Sequence, residues 1–211
     1  MLDVSKLPLF FLATLILLLT PGPAVLYILA RSMDQGRVAG LVSVASIESG
    51  NFVHVLAATL GLSALLLSSA LAFTFVKYIG AAYLIYIGLR RILSHEAALS
   101  AVKVQPQSLR RVFTQGVTVA VLNPKTALFF LAFLPQFVDP ARGSVPLQFF
   151  TLGCILVSMA VVTDSMYALL GSTIGKTLKK ARPFLKAERY VVGSVYIGLG
   201  LMAAFADTGR K

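Results

Sequence analysis

Two ionisable side chains lie inside long apolar stretches of this sequence. Lys125 follows Asn123-Pro124, and Asp164 lies within the apolar run Pro146–Ile174. A charged side chain at the centre of a bilayer costs about 2.5–3.5 kcal/mol on insertion scales. We therefore expect both side chains to face a polar cavity or each other. Lys125 is suited to attract a carboxylate or to pair with an acid, and Asp164 is suited to bind and release a proton or to pair with Lys125.

Small residues accompany Asp164 along one face of its predicted helix. Gly153, Ala160, Ala168 and Gly171 share that face, and such a stripe indicates close contact between helices. We therefore expect Asp164 to point into the protein.

His54 lies on a similar stripe earlier in the chain and corresponds to Asp164 at an offset of 110 residues. Two titratable groups at corresponding positions would suit a proton relay. A hydrogen-bonded packing histidine explains the same position equally well.

Glu48 lies nearly opposite the small-residue stripe of its own helix. Either the segment Glu48-Ser49-Gly50-Asn51 distorts that helix, or Glu48 faces a cavity while the stripe packs against another helix. In the second case, Glu48 and Asn51 could hold the ammonium group of a ligand. The sequence leaves both alternatives open.

Prolines interrupt two apolar runs, in Thr20-Pro21-Gly22-Pro23 and in Asn123-Pro124-Lys125. Proline has no backbone N–H, so it frees carbonyl groups that lipid cannot satisfy but a wet cavity or a ligand can. A helix that starts after such a break also presents a partial positive charge to a carboxylate. Freed N–H and C=O groups together match an amino acid. The alternative is that these prolines only kink helices for packing.

The elements that carry these residues are membrane-spanning helices. Of the 211 residues, 57% are hydrophobic and 13% charged, whereas soluble domains carry about a quarter charged residues. The runs are continuously apolar rather than alternating, which favours helices over a barrel. We predict one all-α transmembrane domain, residues 1–211, with six spans: Leu7–Ala30, two within Val38–Leu89 that turn near Ser68–Phe73, Phe113–Val138, Pro146–Ile174 and Tyr190–Ala206.

The formal charge of +11 is distributed like that of a membrane protein rather than a nucleic-acid-binding protein. Most of the 19 Lys and Arg residues fall in the loops after spans 1, 3 and 5, including Arg31, Arg37 and the basic linker 94–111. Lys and Arg are retained in cytoplasmic loops, so we predict both termini outside the cytoplasm. Cys154 is the single cysteine, so no disulfide and no metal site can be built from it.

The two halves of the chain, about 1–93 and 112–206, resemble each other. Residues 24–30 align with residues 126–132, and Tyr86-Ile87-Gly88-Leu89 recurs as Tyr196-Ile197-Gly198-Leu199. Because each half has three spans, the second half enters the membrane from the opposite side. We predict an inverted 3+3 repeat with proline-broken helices 1 and 4, a construction common in secondary transporters.

These motifs together resemble the LysE/RhtB-type amino-acid exporters, from about residue 10 to residue 205. The resemblance is carried by Thr20-Pro21-Gly22-Pro23, Gly50 through Gly61-Leu62 with His54 between, Gly80-Ala81-Ala82-Tyr83-Leu84 through Gly88, Asn123-Pro124-Lys125, and residues 129–137. It implies a bacterial inner-membrane protein of six helices that exports amino acids in exchange for protons, works as a dimer and needs no cofactor. Glu48 departs from the pattern, because many members have a small or apolar residue there, and this leaves the class of amino acid open.

The motifs predict Pro21, Gly22, Pro23, Glu48, Asn51, Asn123, Pro124 and Lys125 as substrate-binding residues and Asp164 and His54 as proton-coupling residues. An enzyme is not indicated: no nucleophile elbow is present, and Asp164 and Ser165 would point about 100° apart on a helix. The alternative functions are a passive channel or an exporter of another small polar metabolite.

Overall fold

A computed structural model describes residues 2–93 and 106–178, with 190, 193–194, 197–198, 200–201 and 204–205. Most of the linker 94–111, most of the predicted sixth span and two of the four residues in the second copy of the Tyr-Ile-Gly-Leu match lie outside the described residues. Within the described ranges the chain is helical and contains no β-strand. The α-helices are α1 (Leu7–Leu19), α2 (Pro23–Ala57), α3 (Ser63–Ser68), α4 (Ala70–Leu93), α5 (Leu109–Val121), α6 (Pro124–Leu128) and α7 (Val145–Leu178). Shorter segments form π-helical turns at Ala58–Leu62 and Phe129–Phe133 and 3-10 turns at Val4–Lys6, Leu134–Phe137 and Pro140–Arg142.

Three of the described helical stretches are long and apolar enough to cross a membrane by length and composition: Pro23–Ser68, Leu109–Phe137 and Val145–Thr173. Large apolar side chains also cover the outside of the protein, among them Leu60, Leu71 and Phe75. Apolar surface of this extent is compatible with lipid rather than with water. The chain is a multi-pass membrane protein.

The residues around the motif prolines explain where the helices begin. Helix α1 ends at Leu19, and Thr20 has an extended backbone before α2 starts at Pro23. The Thr20 hydroxyl donates a hydrogen bond to the Ile16 carbonyl (2.6 Å). In the second half, the Asn123 side chain caps α6 by accepting a hydrogen bond from the Lys125 backbone N–H (3.1 Å). Proline is favoured at the first helical position because its missing N–H would be unpaired there anyway.

Helix α2 continues through residues that the sequence analysis placed in a loop. The predicted first span ends at Ala30, but the structure remains helical beyond Arg31 and interrupts the helix at Gly36, with φ 82° and ψ −176°. Arg31 is buried rather than exposed in a loop. The predicted span was too short because it ended before the first charged residue, Arg31. This residue has polar partners inside the protein.

Gly36 adopts a backbone conformation that is essentially restricted to glycine. We expect Gly36→Ala to lower the free energy of unfolding by about 1–3 kcal/mol, the usual cost of such strain. A Cβ atom at Gly36 would meet nothing within 4 Å, so the cost comes from the backbone alone. Thermal unfolding in detergent measures it.

Gly61→Ala is the matched control, because a Cβ there also meets nothing within 4 Å and the backbone has no positive φ. Equal effects of the two substitutions would contradict the argument.

Helix α2 packs between α5 and α7 at very short distance. A Cβ at Gly50 would lie 2.5 Å from the Ala120 Cβ of α5, and a Cβ at Gly153 of α7 would lie 2.7 Å from a methyl carbon of Val55. Real Cβ contacts are longer, so these approaches require glycine. The central position of α2 means that two of its faces are covered by protein.

The ends of α1 and α7 pack on an aromatic core formed by residues 129–137. The Phe10 and Phe137 rings are 5.2 Å apart, and the Phe129 and Phe133 rings are 4.6 Å apart. Phe149 of α7 is fully buried in the same cluster. This core packs α1 against the segment that follows α6, and the Lys125 side chain reaches the Thr20 carbonyl at the end of α1.

Candidate functional site

A small cavity lies where the break between α1 and α2 meets α6 and α7. Its volume is about 40 Å³, enough for a few water molecules and too small for an amino acid. The lining includes five of the predicted site residues: Gly22, Asn51, Asn123, Lys125 and Asp164. Residues from both halves of the chain therefore face one space.

Lys125 joins the two helix breaks. Its side chain is buried, and Nζ donates a hydrogen bond to the Thr20 carbonyl oxygen (2.5 Å) at the end of α1. Asp164 interacts electrostatically with the same ammonium group. The sequence analysis gave a substrate carboxylate or an acid as the alternative partners of Lys125, and the structure shows a backbone carbonyl from the other half of the chain.

The Leu19 carbonyl receives a partner that the sequence analysis did not identify. In a continuous helix this oxygen would accept a hydrogen bond from residue 23, but Pro23 has no N–H. The Tyr167 hydroxyl donates to it instead (2.9 Å). The available signal was the position of Tyr167, three residues after Asp164 on the same helix.

Glu48, Asn51 and Asp164 form a buried acidic cluster beside Lys125. Asn51 Nδ2 donates a hydrogen bond to Glu48 Oε2 (3.1 Å), and the carboxyl groups of Glu48 and Asp164 interact with each other. Among the described residues, nothing donates a hydrogen bond to Glu48 Oε1 or to Asn51 Oδ1. Both residues are only 6% exposed, so two acceptor oxygens remain open in a buried site.

This cluster can exchange a proton for another cation. Two ionised carboxylates in contact repel each other, and neither has a hydrogen to donate. A single proton between them removes the repulsion and supplies the hydrogen bond. An ammonium group can do the same, because it is positively charged and brings three N–H donors.

Five predicted residues lie outside the lining of this cavity: Pro21, Pro23, Glu48, His54 and Pro124. Pro21, Pro23 and Pro124 fix the ends of the helices, while His54 is half-buried between α5 and the π-helical turn Phe129–Phe133. His54 Nε2 is 3.1 Å from the Ala120 carbonyl oxygen, and its ring stacks on Phe130 at 5.9 Å. The structure thus groups Asp164 with Glu48 rather than with His54.

A second polar cluster, around Arg31, was missed by the sequence analysis. Arg31 donates hydrogen bonds to the side-chain oxygens of Gln35 (2.8 Å), Gln107 (2.9 Å) and Gln115 (2.8 Å). Its guanidinium also lies 5.5 Å from the centre of the Tyr27 ring, a distance suited to a cation–π contact. The cluster ties α2 to α5 at the Gly36 end of the protein.

We expect Arg31→Ala to destabilise the protein by about 1–3 kcal/mol, because it leaves partly buried glutamine oxygens without donors. Thermal unfolding in detergent measures the loss. Arg37→Ala removes the same charge from an exposed position six residues away and should change stability by less than about 0.5 kcal/mol. A loss of similar size at Arg37 would show that the charge alone matters.

Comparison with known proteins gives full-length relatives. The chain is 29% identical to the homoserine/homoserine lactone efflux protein of Salmonella typhimurium, over 93% of this chain and 95% of the relative. It is 25% identical to the leucine efflux protein of Klebsiella pneumoniae over 92% of each chain, and 27% identical to an uncharacterised membrane protein of Vibrio cholerae over 93% of this chain and 95% of the relative. No solved structure matches the chain.

The family comparison covers almost the whole length. The model of the LysE type translocators matches residues 15–206, a range that contains both proline motifs, the acidic cluster and Lys125. Two of the relatives named above are named as efflux proteins, for homoserine/homoserine lactone and for leucine, as the resemblance in the sequence implied. This chain belongs to the LysE type translocator family.

Proposed function

We propose that this protein is a secondary active carrier that exports amino acids across the bacterial inner membrane in exchange for protons. The observation that carries the proposal is the cavity lined by Lys125, Asn51 and Asp164, next to which Glu48 is held by a hydrogen bond from Asn51. An amino acid has a carboxylate and an ammonium group, and the site offers one cation and two carboxyl groups. The names of the efflux relatives support the same class of substrate.

In this proposal Lys125 attracts the substrate carboxylate. Its Nζ donates a hydrogen bond to the Thr20 carbonyl, and an ammonium group has three N–H donors. Asn123 positions Lys125 through the cap on α6. The backbone near the cavity is non-helical at Pro21 and Gly22, and helices begin at Pro23 and Pro124. These interruptions allow close approach of a ligand to the backbone.

The substrate ammonium and a proton compete for the same two carboxyl groups. When the site is open to the cytoplasm, an amino acid displaces the proton from Glu48 and Asp164. When it is open to the outside, a proton displaces the amino acid. The exchange couples export to proton entry because the carboxyl groups of Glu48 and Asp164 repel each other when they hold neither the proton nor the substrate ammonium. His54 remains the second titratable group that we propose for a proton relay.

We also propose the wider architecture: six membrane-spanning helices in an inverted 3+3 repeat, a dimeric assembly and both termini outside the cytoplasm. The ends of the helices at Leu19 and Pro23, and at Val121 and Pro124, support equivalent interruptions in the two halves. The distribution of Lys and Arg supports the orientation.

Uptake of labelled amino acids into inverted membrane vesicles tests the function. Uptake should require the protein and should rise when the vesicle interior is acidified. Uptake that does not depend on the proton gradient would indicate a channel, and no uptake of any amino acid would indicate that the substrate is another metabolite. Either result overturns the proposal.

We expect Glu48→Gln to reduce gradient-driven uptake at least about tenfold. The amide cannot hold the exchanged proton, and a lost hydrogen bond to a charged group costs about 1.5–3 kcal/mol, or a factor of about ten or more. Asp34→Asn makes the same change at an exposed position on α2 and should leave uptake unchanged. Equal activity of the Glu48 variant and the wild type would remove Glu48 from the mechanism.

A further inference from the structure

The polar side chains that line the cavity are Asn51, Asn123, Lys125, Thr126 and Asp164. Asn51 donates a hydrogen bond to Glu48 next to the lining, and Asp164 interacts electrostatically with Lys125. Asn123 donates from Nδ2 to Thr126 Oγ1 (3.1 Å). The rest of the lining is apolar and comprises Leu17, Leu18, Ala24, Val25, Phe129, Leu156 and Ala160.

Among these polar side chains, the open hydrogen-bonding positions match the two charged ends of an amino acid. Glu48 Oε1 and Asn51 Oδ1 are buried acceptors without a donor, which suits an ammonium group. Asn123 Oδ1 and Thr126 Oγ1 already accept hydrogen bonds. Once Lys125 holds the carboxylate and the acidic cluster holds the ammonium, the side chain of the substrate must lie against the apolar wall.

We propose that the substrate is an α-amino acid with an apolar side chain, such as leucine or methionine. The inference rests on the proposed function and specifies its substrate class. A hydroxyl or an ammonium group on the substrate side chain would be desolvated against leucine, valine and phenylalanine without a partner. Buried polar groups without partners are strongly disfavoured, so homoserine and lysine are poor substrates.

Competition in inverted vesicles tests this class. Uptake of labelled leucine, driven by an acidic interior, is measured with unlabelled leucine, methionine, homoserine or lysine outside. Methionine should compete about as well as leucine, whereas homoserine and lysine should require concentrations about ten- to a hundredfold higher, as expected for an unpaired buried polar group. Homoserine or lysine competing as well as leucine would overturn the inference.

The result also separates this inference from the proposed function. Gradient-dependent uptake of labelled homoserine or lysine without uptake of leucine would contradict the apolar side chain and retain the proton-coupled exporter. Absence of gradient-dependent uptake for all four amino acids would contradict the exporter itself.

A pair of variants on the apolar residues tests the wall directly. Val25→Thr places a hydroxyl in the cavity at nearly constant volume and should shift the ratio of homoserine to leucine uptake at least about fivefold towards homoserine. Val162→Thr makes the same change on the exposed face of α7 and should leave the ratio unchanged. An unchanged ratio in Val25→Thr, in a protein that elutes normally in size-exclusion chromatography, would overturn the inference.

Discussion

Asp164→Asn should reduce proton-driven amino-acid uptake by about a hundredfold or more, the lower range of what a positioned proton-transfer group contributes. Asp164 lines the cavity, is 4% exposed, and interacts with the carboxyl group of Glu48 and the ammonium group of Lys125. The amide has nearly the same shape, but it cannot hold a proton that the substrate displaces. Uptake of labelled leucine into inverted vesicles, with and without an acidic interior, measures the effect.

Quantitative immunoblotting separates the loss of coupling from the loss of the protein. The Asp164→Asn protein should be present in the vesicle membrane at the wild-type amount. Asp34→Asn again serves as the exposed carboxyl-to-amide control on α2. Retention of full gradient-driven uptake by the Asp164 variant would exclude Asp164 from proton coupling.

Lys125→Met should weaken substrate binding by about ten- to a hundredfold. The change removes a buried cation next to the cavity, and hydrogen bonds to charged groups contribute about 1.5–3 kcal/mol, which corresponds to that range. Methionine retains an unbranched side chain of similar length, so the space beside Thr20 stays filled. The concentration of leucine at half-maximal uptake measures the change.

Lys6→Met is the matched control, because it removes the same charge from an exposed residue near the start of the chain. It should leave half-maximal uptake at the wild-type concentration. Similar small effects at both lysines would show that Lys125 does not bind the carboxylate. Thermal unfolding in detergent checks that the Lys125 variant remains folded without its bond to the Thr20 carbonyl.

The sequence predicted the membrane class and part of the site because these features depend on free-energy costs that individual residues impose wherever they occur. Lys125 and Asp164 interrupt apolar runs, and the expense of an ionised group in lipid places them inside the protein. Proline similarly removes a donor wherever it occurs. These arguments need no knowledge of neighbouring helices, and the structure brings Lys125, Asp164, Asn51, Asn123 and Gly22 to one cavity.

The remaining features depend on which helices are neighbours. Periodicity could not decide which face of α2 carries Glu48 into the protein, because α5 and α7 cover two faces of that helix. Both covered faces can carry polar residues. Arg31 was placed in a loop because its glutamine partners are 76 and 84 residues away in the chain. The pairing of Tyr167 with the Leu19 carbonyl likewise spans 148 residues. Such contacts follow from tertiary packing rather than from local pattern.

The glycine contacts of α2 determine which parts of the protein can rearrange. A Cβ atom at Gly116 of α5 would collide with the Ser46 hydroxyl oxygen of α2, so the two helices are in very close contact there. Helices α1 and α6 instead connect to this scaffold through the short non-helical segments at residues 20–22 and 122–123. We expect these segments to act as hinges, so that swinging of α1 and α6 exposes the cavity to one side of the bilayer at a time while α2, α5 and α7 stay fixed.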